Sequence, residues 1–436
     1  MNVKPNRAAL FVLACAAVLA QIAARAAAPD CKRWGLSVCP APYDAQIPDP
    51  TYMLTWSQDE RVIGLRNTYR MYRGDVFRAD AAHAYPLPQA RTALPPVVYE
   101  LKGRRYDLDD YLRRQSVTGL LIIKDGSIVR EFYGGGNTDT TLWTSRSVAK
   151  SVVSILVGIA LEEGAIRSVD DQITAYLPEL KRSAWQGVTL RQLLQHTSGV
   201  AWNENYKDPA SDFAKLTRCE AHRQPYGCVL NLVGSVKRAP GIMPGEVWSY
   251  NTGGAWLVGR LLEQATGMSL ARYLQTRLWS RFAMQSDGVW ESLIPGRSDM
   301  GGHGLNATLR DWGRFALFVS RDGVLPSGER LLPKGWIAES TTWTRARGSV
   351  TPEAPNGQYG YQWWFQGGTP SADRTFWAEG IYGQAIAIDP ADHLVLVQWS
   401  AWPQAEMPDS YYDEQAAFFD ALVHRLQGAS PDRPIA

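Results

Sequence analysis

Ser147 and Lys150, in Thr144-Ser145-Arg146-Ser147-Val148-Ala149-Lys150-Ser151, stand three residues apart at the head of a nearly all-apolar run, Val152 to Leu161. Positions i and i+3 share one helix face, so a hydroxyl and an amine meet there. Ser147 falls in the first turn, where free N–H groups and the positive end of the helix dipole favour an anion. A serine hydroxyl attacks a carbonyl only when a base takes its proton. A lysine can serve if burial or a nearby cation disfavours its ammonium form. Val152, Val153, Ile155, Leu156, Val157, Ile159 and Leu161 cover every side of the helix, which predicts a core position with Gly164 as its stop. An amine at the mouth of such a helix costs desolvation energy that a structural role does not require. The competing reading is an N-cap serine beside a surface lysine, and spacing alone does not separate the two. A relay group is also needed. Tyr250, in Trp248-Ser249-Tyr250-Asn251-Thr252-Gly253-Gly254, precedes another predicted helix and either supplies it or packs at the helix entry.

The 436 residues suffice for two or three domains, or for one large core with an insertion. Hydrophobic residues at 45% and charged residues at 20% mark a globular chain. A net charge of +2 without a basic run gives no reason to expect nucleic acid. The six histidines show no zinc spacing, and no metal or cofactor is expected. Residues 1–28 read as an export signal: Lys4 and Arg7, then an apolar Ala8 to Ala20, then small residues up to Ala28. The apolar run is too short for a comfortable membrane span, so a secreted or periplasmic protein without membrane insertion is expected. Four cysteines remain after that segment. Their spacing predicts Cys31–Cys39 and Cys219–Cys228 disulfides, the alternative being four reduced thiols.

The positioning elements follow from periodicity. Residues 29–115, rich in proline, arginine and tyrosine, are expected to wrap the body of the protein. Leu120 to Ile123 and Ile128 to Tyr133 flank Asp125-Gly126, a strong hairpin signal. Residues 165–289 read as helical, with caps at Thr189, Asn251 or Thr252, and Met268-Ser269. A helix follows from Thr308 to Val319, and Pro333 begins a short one. Tyr361 to Phe365, Arg374 to Ala378, Ala385 to Ile388 and Leu394 to Trp399 read as strands, and Asp413 to Leu426 as a closing helix. The expected architecture is α/β in the α+β sense. Residues 116–164 and 290–436 form an antiparallel sheet flanked by helices, with 165–289 as an inserted helical domain.

With these residues in view, the chain resembles the serine β-lactamase and penicillin-binding-protein superfamily over residues 116–425. It is most similar to the class C-like branch that holds carboxylesterases and 6-aminohexanoate-oligomer hydrolases. Ser147-Val148-Ala149-Lys150 matches the nucleophile motif. Tyr250 falls on the tyrosine of the second motif, Gly301-Gly302-His303-Gly304-Leu305 on the glycine-rich turn, and Ala378-Glu379-Gly380 on the third motif. The resemblance implies acyl transfer by Ser147, with Lys150 and Tyr250 handling protons and the N–H groups of Ser147 and Ile381 holding the oxyanion. It also nominates Tyr206, Asn251, Glu379 and Gly380 as substrate contacts. Two positions depart from the pattern: Thr252 replaces the second-motif asparagine, and Ala378-Glu379 replaces the cation that would hold a substrate carboxylate. A small neutral or amine-bearing ester or amide is therefore expected ahead of a β-lactam or D-alanyl peptide. A non-catalytic binding relative of the fold is the third reading. His196 and His303 read as hydrogen-bonded turn residues.

Overall fold

The computed structural model describes residues 31–343, 346, 359–366 and 374–427, with Cys31 and Lys32 described for their backbone alone. The export segment lies outside the described residues. In chain order, β1 (Gly74–Phe77) precedes a hairpin of β2 (Val98–Leu101) and β3 (Arg104–Asp107). β4 (Val117–Lys124) and β5 (Ser127–Tyr133) follow, joined as expected at Asp125-Gly126, where both φ angles are positive at 51° and 78°. Next come β6 (Trp143–Thr144) and α1 (Val148–Glu162). The helical stretch contains α2 (Leu190–Leu194), α3 (Asp212–Glu220), α4 (Pro225–Ser235) and α5 (Thr252–Thr266). β7 (Gly288–Ile294), β8 (Ser298–Asp299), β9 (Leu305–Ala307) and α6 (Leu309–Ser320) return the chain to the sheets. β10 (Phe376–Gly380), β11 (Gln384–Asp389), β12 (Leu394–Ser400) and α7 (Asp409–Leu426) complete it.

The main sheet runs β10-β11-β12-β4-β5, antiparallel throughout, and both of its faces are covered. Side chains alternate across a strand, and the packing follows that period of two. Leu121, Ile123, Ile386, Ile388, Val395 and Val397 join the core that contains α1 and α6. Their neighbours Leu120, Ile122, Ala385, Ala387, Leu394 and Leu396 join Phe418, Phe419, Leu422 and Leu426 of α7 on the other face. The mixed helices and antiparallel sheets fit the expected class.

A second sheet, β1-β7-β9-β6 with β8 beside β7, was not anticipated from sequence. It matters for the site. β6 ends just before Ser147 and β9 begins just after Gly304, and their pairing sets Thr144 against Asn306. Ser145 N–H then donates to the Leu305 carbonyl at 2.7 Å, so the serine turn and the glycine-rich turn are held side by side. One expected strand is absent. Tyr361 to Phe365 makes only bridges at Trp364, which exchanges backbone hydrogen bonds of 2.8 and 2.9 Å with Trp377. Its Tyr-Gln-Trp-Trp-Phe composition packs aromatic side chains without continuing a ladder.

The capping signals appear where expected. Thr189 and Gln192 form a capping box on α2, Thr308 caps α6, and Ser269 caps the helix Leu270–Leu274. Cys219 and Cys228 are joined, tying the end of α3 to α4. Cys39 is disulfide-bonded, while the expected pairing with Cys31 rests on a side chain outside the described residues.

Candidate active site

Helix α1 is the scaffold. Val148 to Ala160 are buried without a break, and each large aliphatic side chain among them contributes roughly 1.5–3 kcal/mol by leaving water. That burial fixes the helix and carries Lys150 inside, where it is 1% exposed. Ser147 is the N-cap residue, and its side chain makes no capping bond. The hydroxyl instead accepts a hydrogen bond from Lys150 Nζ at 2.9 Å. The amine also donates to the Gly302 carbonyl at 2.8 Å and to Thr252 Oγ1 at 3.2 Å. The surface-lysine reading is thereby excluded.

Two close approaches make this geometry possible. A Cβ at Gly301 would sit 2.9 Å from the Gly259 Cα of α5, so only glycine lets the turn press down and aim Gly302 at Lys150. A Cβ at Gly380 would sit 2.8 Å from the Ser145 carbonyl and 2.9 Å from the Ser147 nitrogen. The end of β10 thus lies directly against the serine turn, with Ile381 next in line. Tyr382 follows at φ 66°, a left-handed conformation held by its hydroxyl on the Met53 carbonyl at 2.8 Å and by the Arg61 guanidinium over its ring. Residues that precede the main sheet in sequence therefore brace this corner.

Burial lowers the Lys150 amine from its ordinary range to about 7, partly opposed by the Glu204 carboxylate. About half the amines are then free at neutral pH, as a base needs. Tyr250 sits over the same amine, with the ring centroid 4.8 Å from Nζ. Its phenol is within hydrogen-bonding reach of Ser147; burial pushes its ionisation well up, and Glu204, Glu379 and Glu406 add to that. Ser147, Lys150 and Tyr250 are thus brought together.

The other nominated residues divide. Glu379 lies at the cleft edge, accepts a hydrogen bond from Gln366 at 2.7 Å, and is raised by burial to about 7. Tyr206 packs its ring on Phe213 at 4.6 Å and donates to Glu204 at 3.0 Å. Asn251 is committed elsewhere: its side-chain oxygen caps α5 through Gly254 N–H at 2.7 Å, and the residue is 2% exposed. The sequence order Tyr-Asn-Thr hides this, because either polar residue can cap. His196 packs its ring on Tyr250 at 4.6 Å rather than bonding as a turn residue through Nε2. His303 is hydrogen-bonded as expected, but to Glu220, at 3.0 Å.

Glu204 was overlooked in the sequence. It accepts from Thr252 Oγ1 and from the Trp202 indole, and from Thr252 N–H at 3.0 Å and Tyr206. A chain of polar groups results: Ser147, Lys150, Thr252, Glu204. Thr252 replaces the motif asparagine and still holds the amine, while its hydroxyl proton points to Glu204. The available signal was a carboxylate two residues before the nominated Tyr206. Aromatic rings enclose this end of the cleft, with Tyr250 stacked on Trp364 at 5.5 Å and Tyr359 edge-on to Trp364 at 4.7 Å.

Comparison with known proteins places the chain in a family. The β-lactamase family description matches residues 108–419, most of the chain. The chain belongs to the β-lactamase family and is a serine hydrolase. It is 29% identical over 331 residues to a 6-aminohexanoate-dimer hydrolase of Paenarthrobacter ureafaciens, covering 72% of this chain and 81% of that one. To a β-lactamase of Escherichia coli it is 25% identical, over 47% of this chain and 55% of that one. A solved structure from Bacillus anthracis, assigned as a 6-aminohexanoate-dimer hydrolase, shares the fold with a TM-score of 0.75 at 20% identity, over 88% of this chain and 99% of that one. A family VIII carboxylesterase shares it at a TM-score of 0.52 and 16% identity, over 71% of this chain and 92% of that one.

Proposed function

We propose that this protein is exported and cleaves ester or amide bonds of small acyl compounds through an acyl-Ser147 intermediate. Ser147 Oγ attacks the carbonyl carbon as its proton passes to the Lys150 amine. The oxyanion is held by the N–H groups of Ser147 and Ile381, which the Gly380 approach brings to one corner. Such a donor contributes roughly 100- to 1,000-fold in rate. Tyr250, within reach of Ser147, passes a proton to the leaving group and is reprotonated by the Lys150 ammonium, which returns the amine to its free form. Water then enters along the same path and frees the acid. The observation that carries this reading is the Lys150 amine, buried, lowered to about 7 and 2.9 Å from the Ser147 hydroxyl.

The substrate side follows from charge. Glu204, Glu379 and Glu406 all act on the Tyr250 phenol, and Ala378 stands where relatives of this pattern carry a cation. A carboxylate-bearing substrate meets repulsion there, and a neutral or amine-bearing one does not. The name of the 29%-identical relative, a 6-aminohexanoate-dimer hydrolase, supports a linear amide. Export is supported by residues 1–28 and by the Cys219–Cys228 disulfide, which suits an oxidising compartment. Among the described residues no helix is long and apolar enough to cross a membrane.

A substrate panel tests this reading: p-nitrophenyl butyrate, a linear amide ending in an amine, the same amide ending in a carboxylate, and nitrocefin. Turnover of the first two ahead of the others is expected. Faster nitrocefin hydrolysis would return the protein to the β-lactamases, and no turnover of any substrate would favour a non-catalytic relative.

A further inference from the structure

Behind the serine turn lies a second group of buried charges that the proposed chemistry does not use. Arg146, Glu220, Glu291 and His303 are 4%, 7%, 1% and 5% exposed. They come from four separate places: the residue before Ser147, the end of α3, the middle of β7, and the residue after Gly302. His303 is gripped on both sides, Nε2 by Glu220 at 3.0 Å and Nδ1 facing Glu291 at 3.6 Å. The Glu291 carboxylate faces His303 and the Thr68 side chain, and its charge is balanced by His303 and by Arg146. The Arg146 guanidinium acts on both carboxylates, and Tyr72 faces the same group. Arg146 itself holds a left-handed backbone at φ 45°, uncommon for a side chain of its size.

We propose that these four residues form a charge-balanced positioning cluster, with His303 as the member whose charge holds the sum at zero and thereby sets the Gly302 carbonyl and the electrostatic field at Lys150. Two cations and two anions cancel. Burial opposes the imidazolium, but Glu220 and Glu291 outweigh it and hold His303 up at about 9, so it is charged at neutral pH. Burial raises Glu220 as well, against the pull of His303 and Arg146. Burial also works against the Glu291 carboxylate, yet His303 and Arg146 overcome it and hold that group low. Packed apolar residues would stabilise this region as well as four buried charges do, so stability alone does not account for them. Their placement does: two of the four directly adjoin Ser147 and the carbonyl that receives the Lys150 proton donor. The three potential ligand atoms lie within 4.8 Å of one another, but with Arg146 facing both carboxylates the set is matched by its own charges. The inference rests on the Ser147–Lys150 reading above.

The test is the pH dependence of kcat/KM for p-nitrophenyl butyrate in full-length wild type, His303→Gln and His303→Gln/Glu220→Gln. Losing the imidazolium leaves the cluster one charge negative, which favours the Lys150 ammonium. The acidic limb should move up by about one pH unit, lowering the rate at pH 7 about fivefold with little change in KM. Removing the Glu220 charge as well should return the limb to within a few tenths of a unit of wild type. An unshifted limb in folded His303→Gln, or a double variant shifted as far as the single, overturns the proposal. So does a stoichiometric divalent metal in the purified enzyme whose chelation reproduces the single variant. Histidine-selective ¹⁵N NMR of wild type, assigned with the double variant, covers the case where His303→Gln does not fold: a protonated ring at pH 7 supports the cluster and a neutral one overturns it. Ser147→Ala, assayed in parallel, separates the two ideas, since residual turnover there defeats the nucleophile assignment and says nothing for His303.

Discussion

Lys150 and His303 are two buried basic groups on either side of one carbonyl, that of Gly302. Lys150 is 1% exposed and His303 is 5% exposed, yet their ionisation moves in opposite directions. Burial is the largest influence on both, and it disfavours the cation in each case. For Lys150 the partners are neutral, a hydroxyl, a threonine and a carbonyl, and only the more distant Glu204 pulls back. For His303 two carboxylates lie in direct contact. Depth of burial therefore does not decide which base is free to accept a proton. The neighbours decide, and here they leave one amine available and keep one imidazolium fixed.

The largest expected break of this contrast is at Lys150 itself. Lys150→Met should lower kcat/KM for p-nitrophenyl butyrate by at least about 1,000-fold near neutral pH, because the other ionisable group within reach of Ser147 among the described residues, the Tyr250 phenol, is held in its neutral form by burial. A pH optimum retained with modest loss would place the base elsewhere. Tyr250→Phe should cost about 100-fold or more in kcat, more for an amide than for a p-nitrophenyl ester, whose leaving group needs less help from a proton. Equal losses on both substrates would remove Tyr250 from the leaving-group step.

Smaller changes sharpen the contrast. Glu204 raises the Lys150 amine, so Glu204→Gln should let it fall below about 7 and move the acidic limb to lower pH by roughly half a unit. A shift to higher pH would contradict the sign. Glu379, raised to about 7, is neutral in acid and ionised above neutrality. The KM for an amine-bearing amide should accordingly drop several-fold between pH 6 and 8, and Glu379→Gln should abolish that slope. Smallest for activity is the Cys219–Cys228 crosslink. Reducing it should cost about 2.5 kcal/mol of stability in denaturant unfolding, from the loop it closes, while leaving the acidic limb in place.

Much of this was legible in the chain because it is local. The Ser147 helix, the Asp125-Gly126 turn and the caps at Thr189 and Thr308 depend on residues within a few positions of one another, and each appears at its expected place. What was hidden is non-local. Gly288 to Ile294 carries Glu291 and Ser292 inside a strand that is buried up to its last residue, which breaks the apolar pattern a reader of sequence relies on. The Glu220–His303–Glu291 cluster spans 83 positions from Glu220 to His303, with no spacing rule to announce it. Asn251 and Thr252 are neighbours of similar polarity, and only the path of α5 decides that one caps the helix while the other touches the amine.

The central claim is that the Ser147 hydroxyl, deprotonated by Lys150, becomes covalently acylated. Peptide mass spectrometry after brief exposure of the full-length enzyme to a fluorophosphonate ester reads the nucleophile directly, since the reagent loses fluoride and phosphonylates the hydroxyl that a substrate would acylate. The prediction is a single adduct on the peptide containing Ser147, formed faster as pH rises through about 7 and absent in Lys150→Met. An adduct on another residue, or labelling of Ser147 at an equal rate in Lys150→Met, would contradict it.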